Sequence, residues 1–249
     1  MPSQNGIRAI LFDLDGTLRH SRPSFFQAFF TCATRAGVAD SPERRRESIR
    51  WLHYYWAQSR ELVADQKQFD QEPEGFWRNH ARLNLLAFGC SEEQAAALAP
   101  EVFRYMSEEF EPEDWVAPEV PATLQALKEA GYRLGVLSNR THPFEEQLAT
   151  LDLAHYFDVV VAAGELNAWK PEPEVFHQAL EKLGVPAHEA VFVGDNYFAD
   201  VIGAQRAGLY PVLIDPEGIF PEAECPVIEK LDELPEILAQ DGLRGVPAD

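Results

Sequence analysis

FDLDGTL, Phe12 to Leu18, ends the apolar run Ile10, Leu11, Phe12 with two aspartates and follows them at once with Gly16 and Thr17. Side chains two apart on a strand point to the same side of a sheet, so a strand running through this stretch would crowd the Asp13 and Asp15 carboxylates together. Crowded like charges are costly, and a metal cation is the usual remedy. The stretch therefore reads as a buried strand that delivers acidic chemistry to one rim of a sheet.

Working outward, further apolar strands are expected at Tyr132 to Leu137, Phe157 to Ala162, Ala190 to Val193 and Tyr210 to Ile214, with the first running from Ile7 to Phe12. Helical patterns separate them. Ala122 to Ala130 closes on Gly131, Glu174 to Leu183 on Gly184, and Phe198 to Ala207 on Gly208, each glycine standing where a helix C-cap favours it. Strands alternating with helices predict an α/β fold: a Rossmann-like parallel sheet sandwiched by helices.

Between the opening motif and the second strand the texture changes. Residues 19–117 show helix-period apolar positions and almost no strand signal, with stops at Gly37, Pro42, Pro73, Gly89 and Pro112. This segment is expected to be an inserted helical cap domain on a core made of residues 1–18 and 118–249. It holds 16 of the 28 aromatic residues, enough for a small core of its own. Within it, Trp51 and Tyr55 stand one helical turn apart and are expected to touch.

The chain's 249 residues are 46% hydrophobic and carry a formal net charge of −20, which argues against binding a nucleic-acid backbone or an anionic membrane face. Cys32, Cys90 and Cys225 are odd in number and far apart, so neither a disulfide framework nor a zinc knuckle is supported. A reducing cytoplasm fits that usage, and no run reaches membrane-spanning length.

In an open parallel sheet, ligands sit outside the carboxyl ends of the strands. Those ends carry Asp13 and Asp15 after the first strand, Ser138 and Asn139 in VLSNR after the second, Lys170 in AAGELNAWKPEP after the third, and Asp195, Asn196 and Asp200 in VGDNYFAD after the fourth. Singly, each reads as an ordinary turn or helix entry. Together they bring carboxylates, a hydroxyl, an amide and an ammonium to one rim.

FDLDGTL, LSN, WKPEP and GDNYFAD, in that order and with a helical segment between the first two, resemble the haloacid dehalogenase-like phosphohydrolase superfamily, in the branch whose cap follows the first motif. The resemblance implies a phosphatase for a small phosphorylated metabolite. Asp13 would be the nucleophile that forms an aspartyl-phosphate, and Asp15 the general acid and base. Gly16, Thr17, Ser138, Asn139 and Lys170 would bind the phosphoryl group, Lys170 as a point charge. Magnesium would be held by Asp13, Asp15 through its main-chain carbonyl, Asp195 and Asp200, the last in an outer position.

The same resemblance keeps two other activities in view. A phosphomutase of the β-phosphoglucomutase kind shares every core motif, and a non-catalytic binding protein can use the same fold. The superfamily's dehalogenases lack the second aspartate of the first motif, so Asp15 favours phosphate-ester chemistry. Arg19 and His20, just past that motif, read either as an anion-binding pair or as a solvated linker.

Overall fold

We describe residues 6–239 of the protein in a computed structural model. The chain divides into two compact units, one formed by Met1–His20 with Val116–Asp249 and the other by Ser21–Trp115. The seams fall after His20 and Trp115 rather than after Leu18 and Ala117.

The first unit is an α/β fold built on a six-stranded sheet. Its strands are β1 (Ala9–Phe12), β4 (Arg133–Ser138), β5 (Val159–Ala162), β6 (Ala190–Gly194), β7 (Tyr210–Ile214) and β8 (Val227–Ile228). They lie in the order β5-β4-β1-β6-β7-β8, and every neighbouring pair is parallel. All four residues of β1 are buried, as befits a central strand of a sheet covered on both faces. β1 begins at Ala9 rather than Ile7, and β5 at Val159 rather than Phe157. β8, two residues long, gives no readable sequence signal.

Register aligns the carboxyl ends. Phe12 stands opposite Val136 of β4 on one side and Val193 of β6 on the other. The residues that follow these three positions therefore leave the sheet along one edge, which gathers Asp13, Ser138 and Asp195 without any long loop.

Helices α6 (Glu119–Glu129), α7 (Glu145–Thr150), α8 (Ala163–Leu166), α9 (Pro173–Leu183), α10 (Ile202–Arg206) and α11 (Leu234–Ala239) complete this unit. In α9 the residues Val175, Phe176, Ala179, Leu180 and Leu183 form one buried stripe, and the ring of Phe176 meets that of Phe192 in β6 edge to face at 5.0 Å. Gly184 ends α9 in the left-handed conformation, with φ of 67°. The helix expected over Phe198 to Ala207 instead opens with a wide π turn, Tyr197–Val201, before α10. That turn starts at Asn196, whose side-chain oxygen accepts from the amides of Phe198 and Ala199.

The second unit contains α1 (Phe25–Arg35), α2 (Pro42–Trp56), α3 (Arg60–Gln68), α4 (Pro73–Ala87) and α5 (Glu92–Arg104). Serines 24, 41, 59 and 91 cap four of these helices through their side chains, the helix-start chemistry the sequence displays. Phe29, Phe30, Tyr55, Leu85 and Phe88 are buried at its centre, and Trp51 lies against Tyr55 with ring centroids 4.9 Å apart. The short strands β2 (His20–Arg22) and β3 (Glu113–Trp115) pair with each other, a ribbon the helical pattern does not announce. The Arg22 guanidinium sits 3.6 Å from the centre of the Trp115 ring. Among the described residues no helix is long and apolar enough to cross a membrane.

Candidate active site

The strand ends at Phe12, so the alternation that would crowd Asp13 against Asp15 stops before it reaches Asp15. The chain turns instead. Leu14 accepts at its carbonyl from the amides of Leu18 and Arg19, and the Gly16 amide donates to the Arg19 carbonyl at 2.8 Å. The two aspartates then part company. Asp13 stays buried, while the Asp15 side chain remains 39% exposed.

Asp13 enters a buried cluster of charges. The Lys170 ammonium donates to Asp13 Oδ1 at 2.5 Å and to Asp200 Oδ1 at 2.7 Å, and both Lys170 and Asp200 are almost wholly inaccessible. Asp13, Asp195 and Asp200 each offer a carboxylate oxygen, and these atoms lie within 4.8 Å of one another. Three carboxylates thus share one ammonium. Burial pushes the Asp13 carboxyl up to about 7 against the pull of Lys170, with Asp200 adding to the rise. Asp195 is raised well above the usual carboxylate range by burial and by the neighbouring Asp13 and Asp200. Burial works to lower Lys170, but the two carboxylates it touches outweigh that and hold it above its ordinary value.

Such a cluster holds more negative charge than its lysine offsets, and all of its donors are oxygens. That is the donor chemistry of a small hard divalent cation such as magnesium. The carboxylate of Asp15 lies outside the cluster, and the expectation for this residue concerns its main-chain carbonyl alone.

Glycines make the close approach possible. A Cβ on Gly16, whose φ is +94°, would stand 2.3 Å from Asp195 Oδ2, and one on Gly194 would stand 2.2 Å from Asp200 Oδ2. Neither contact is tolerable, so both acidic side chains occupy space that only glycine leaves free. Asp200 is fixed further by the Asn196 amide, which donates to its Oδ2 at 2.9 Å, and Thr17 donates its hydroxyl proton to Asp195 Oδ1 at 3.3 Å.

Three residues expected to contact the phosphoryl group differ in detail. The Gly16 amide is spent on Arg19. Thr17 turns its hydroxyl to Asp195. Asn139 uses its side-chain amide on the backbone of Lys170, donating to the Lys170 carbonyl at 2.9 Å and accepting from the Lys170 amide at 2.7 Å. Ser138 ends β4, buried at the same rim. Among the described residues, the amides that the turn leaves without a hydrogen bond are those of Leu14 and Asp15.

Sequence reasoning missed Arg140. Its guanidinium grips Asp15 with both arms, Nε to Oδ2 at 2.7 Å and Nη2 to Oδ1 at 2.8 Å. Arg19 adds a third bond, Nη1 to Oδ1 at 3.0 Å, so it is no idle linker residue. The available signal was position alone: Arg140 directly follows Ser138 and Asn139 at the end of a strand.

Residues 7–208 match the family model described as haloacid dehalogenase-like hydrolase. The chain is 30% identical over 233 residues to the glyceraldehyde 3-phosphate phosphatase of Methanothermobacter thermautotrophicus, covering 90% of this chain and 92% of that one. It resembles the crystal structure of a HAD phosphatase from Thermococcus onnurineus with a TM-score of 0.55 at 28% identity, over 93% of this chain and 98% of the other. It also resembles that of a 2-haloacid dehalogenase from Pseudomonas syringae pv. Tomato, with a TM-score of 0.54 at 27% identity, over 94% and 98%.

Proposed function

The chain belongs to the haloacid dehalogenase-like hydrolase family and is a phosphatase, and we propose that it hydrolyses a small phosphorylated metabolite through an aspartyl-phosphate on Asp13. The observation that carries this reading is the contrast between two carboxylates two residues apart. Asp13 is buried against Lys170, whereas Asp15 is half exposed and held by arginines. Two carboxylates in different environments suit two different tasks.

In the first step an Asp13 oxygen attacks phosphorus. The bond from phosphorus to the ester oxygen breaks, and that oxygen keeps the electron pair and takes a proton from Asp15. In the second step water attacks phosphorus as Asp15 takes one of its protons, and the bond between phosphorus and Asp13 breaks. Phosphate leaves and both aspartates return to their starting state. Lys170 holds the Asp13 carboxylate in a single orientation and offsets its charge, and Asn139 fixes the main chain that carries the lysine.

Asp13, Asp195 and Asp200, with the main-chain carbonyl of Asp15, would hold magnesium, whose charge counters that of the phosphoryl oxygens. Asp15 supports ester hydrolysis over halide displacement, because a halide departs as a stable anion and an alkoxide does not.

The test is phosphate release from an aryl phosphate and from a panel of phosphorylated sugars, acids and nucleoside monophosphates, with magnesium and then with excess chelator. Release that needs magnesium is the expected result. Folded protein that releases phosphate from none of them, or releases chloride from a chloro-acid, would overturn the reading.

A further inference from the structure

The partners of Asp15 are guanidinium groups, whereas Asp13 and Asp200 face the lysine, and the pattern of the guanidinium bonds is uneven. Oδ1 takes two, from Arg140 Nη2 and Arg19 Nη1, while Oδ2 takes one, from Arg140 Nε. A two-armed arginine contact fixes the plane of a carboxylate as well as its position. One oxygen of that plane is left with spare capacity.

Arg140 is itself held in place. Its Nη1 donates to Gln147 Oε1 on α7, and its guanidinium lies 5.5 Å from the centre of the Phe144 ring. Its carbonyl accepts from the Gly164 amide at 3.0 Å, where α8 presses so closely that a Cβ on Gly164 would stand 2.1 Å from the Thr141 carbonyl oxygen. Backbone, guanidinium and ring contact all restrain the same residue, so the orientation it imposes on Asp15 is rigid.

We infer that Arg140 is the positioning residue of the acid–base carboxylate: its fork sets the plane of Asp15 so that Oδ2 gives the proton to the leaving oxygen and later takes one from water. This rests on the reading of Asp15 as the acid and base. Without the fork, a half-exposed carboxylate would sample many orientations in water, and proton transfer would lose the alignment it depends on. Arg19, whose Nη1 reaches Oδ1 of Asp15, supports the plane without defining it.

The test uses the leaving group. An activated nitrophenolate departs without help, whereas an alkoxide needs a proton, so misplacing the acid slows only the second kind. Release of the alcohol or nitrophenol in the first turnover is measured for Arg140→Ala, Arg140→Lys, Asp15→Asn and the parent chain. For Arg140→Ala we expect the alkyl ester to slow on the order of a hundredfold, the low end of what general acid catalysis contributes. The nitrophenyl ester should stay within about threefold, with KM little changed for both. Arg140→Lys keeps the charge and loses the fork; it should fall between, and it carries the same comparison if the alanine variant does not fold.

Equal slowing of both esters, or a rise in KM with first-turnover rates unchanged, would overturn the inference and make Arg140 a structural or substrate-binding residue. Asp15→Asn separates the two levels. If it discriminates between the esters and Arg140→Ala does not, the positioning role alone fails. If Asp15→Asn does not discriminate either, the acid–base reading of Asp15 fails with it.

Discussion

The side chain of Asn139 holds the backbone of Lys170 at two points, accepting from its amide at 2.7 Å and donating to its carbonyl at 2.9 Å. An asparagine at the end of β4 thereby sets where a lysine 31 positions later delivers its ammonium. Asn139→Ala removes both bonds. Each is worth about 1 kcal/mol of stability, and the unpaired Lys170 amide adds to the loss. We expect destabilisation of about 2–3 kcal/mol in a denaturant titration. A kcat reduced by about tenfold or more should accompany it, as the lysine loses its alignment. An unchanged kcat would show that Lys170 is positioned without Asn139.

Asp13→Asn keeps the size of the side chain and removes the nucleophilic charge. Turnover should fall to background while the unfolding transition is retained. Acid quenching during turnover should leave phosphate covalently attached to the parent chain and none on the variant, read as a mass increase of the intact protein. Residual turnover at even a tenth of the parent rate would be incompatible with Asp13 as nucleophile.

The carboxylate cluster predicts how metal and pH act together. Asp13 sits at about 7 in the folded, metal-free protein against 3.8 for a free side chain, so the fold binds its proton more tightly than the unfolded chain does. Its contribution is thus fully present below about pH 4 and is lost as pH rises through 7. Magnesium competes with that proton. At a hundredfold excess over Kd it should stabilise by about 2.7 kcal/mol, which for a chain of this size is roughly 5–10 °C in Tm. The shift should be clear at pH 8 and small at pH 5, and thermal melts with and without magnesium measure it. A shift of the same size at both would mean that the cation binds elsewhere.

Gly16→Ala tests the space that Asp195 occupies. The added methyl group meets the Asp195 carboxylate at 2.3 Å and forces a side chain onto a backbone with φ of +94°. Strain of this kind costs about 1–3 kcal/mol. Displacement of Asp195 should also raise the magnesium concentration needed for half-maximal activity by tenfold or more, and a magnesium titration of activity reports it. Loss of stability with no change in that concentration would mean that Asp195 does not hold the metal.

The core was legible in the sequence because its strands are short apolar runs ended by polar residues, and because Gly131, Gly184 and Gly208 mark helix ends that the backbone adopts with positive φ. What the linear pattern could not convey was which polar atoms face one another. The alternation argument from Asp13 to Asp15 failed because the chain turns immediately after Asp13. Asn139 reads equally well as a ligand for phosphate or as a clamp on a neighbouring loop, and only the fold brings residue 170 to it. Arg140 was invisible for a similar reason: its partner lies 125 positions away. The ribbon of β2 and β3 escaped notice because three-residue strands carry too little periodicity to register.

The central position of β1 bears on how the chain reaches this state. β1 is synthesised first, yet it lies between β4 and β6, and both of its edges stay open until residues 133–138 and 190–194 have been made. An apolar strand with two unpaired edges is a template for association with other chains. The same delay governs the chemistry, since Asp13 meets Lys170 across 157 positions. A nascent or truncated chain that ends before β6 carries Asp13, the proposed nucleophile, but neither Asp195 nor Asp200. Phosphate release is therefore a reporter of completed folding, and a slow arrival of β6 would appear as aggregated protein rather than as weakly active enzyme.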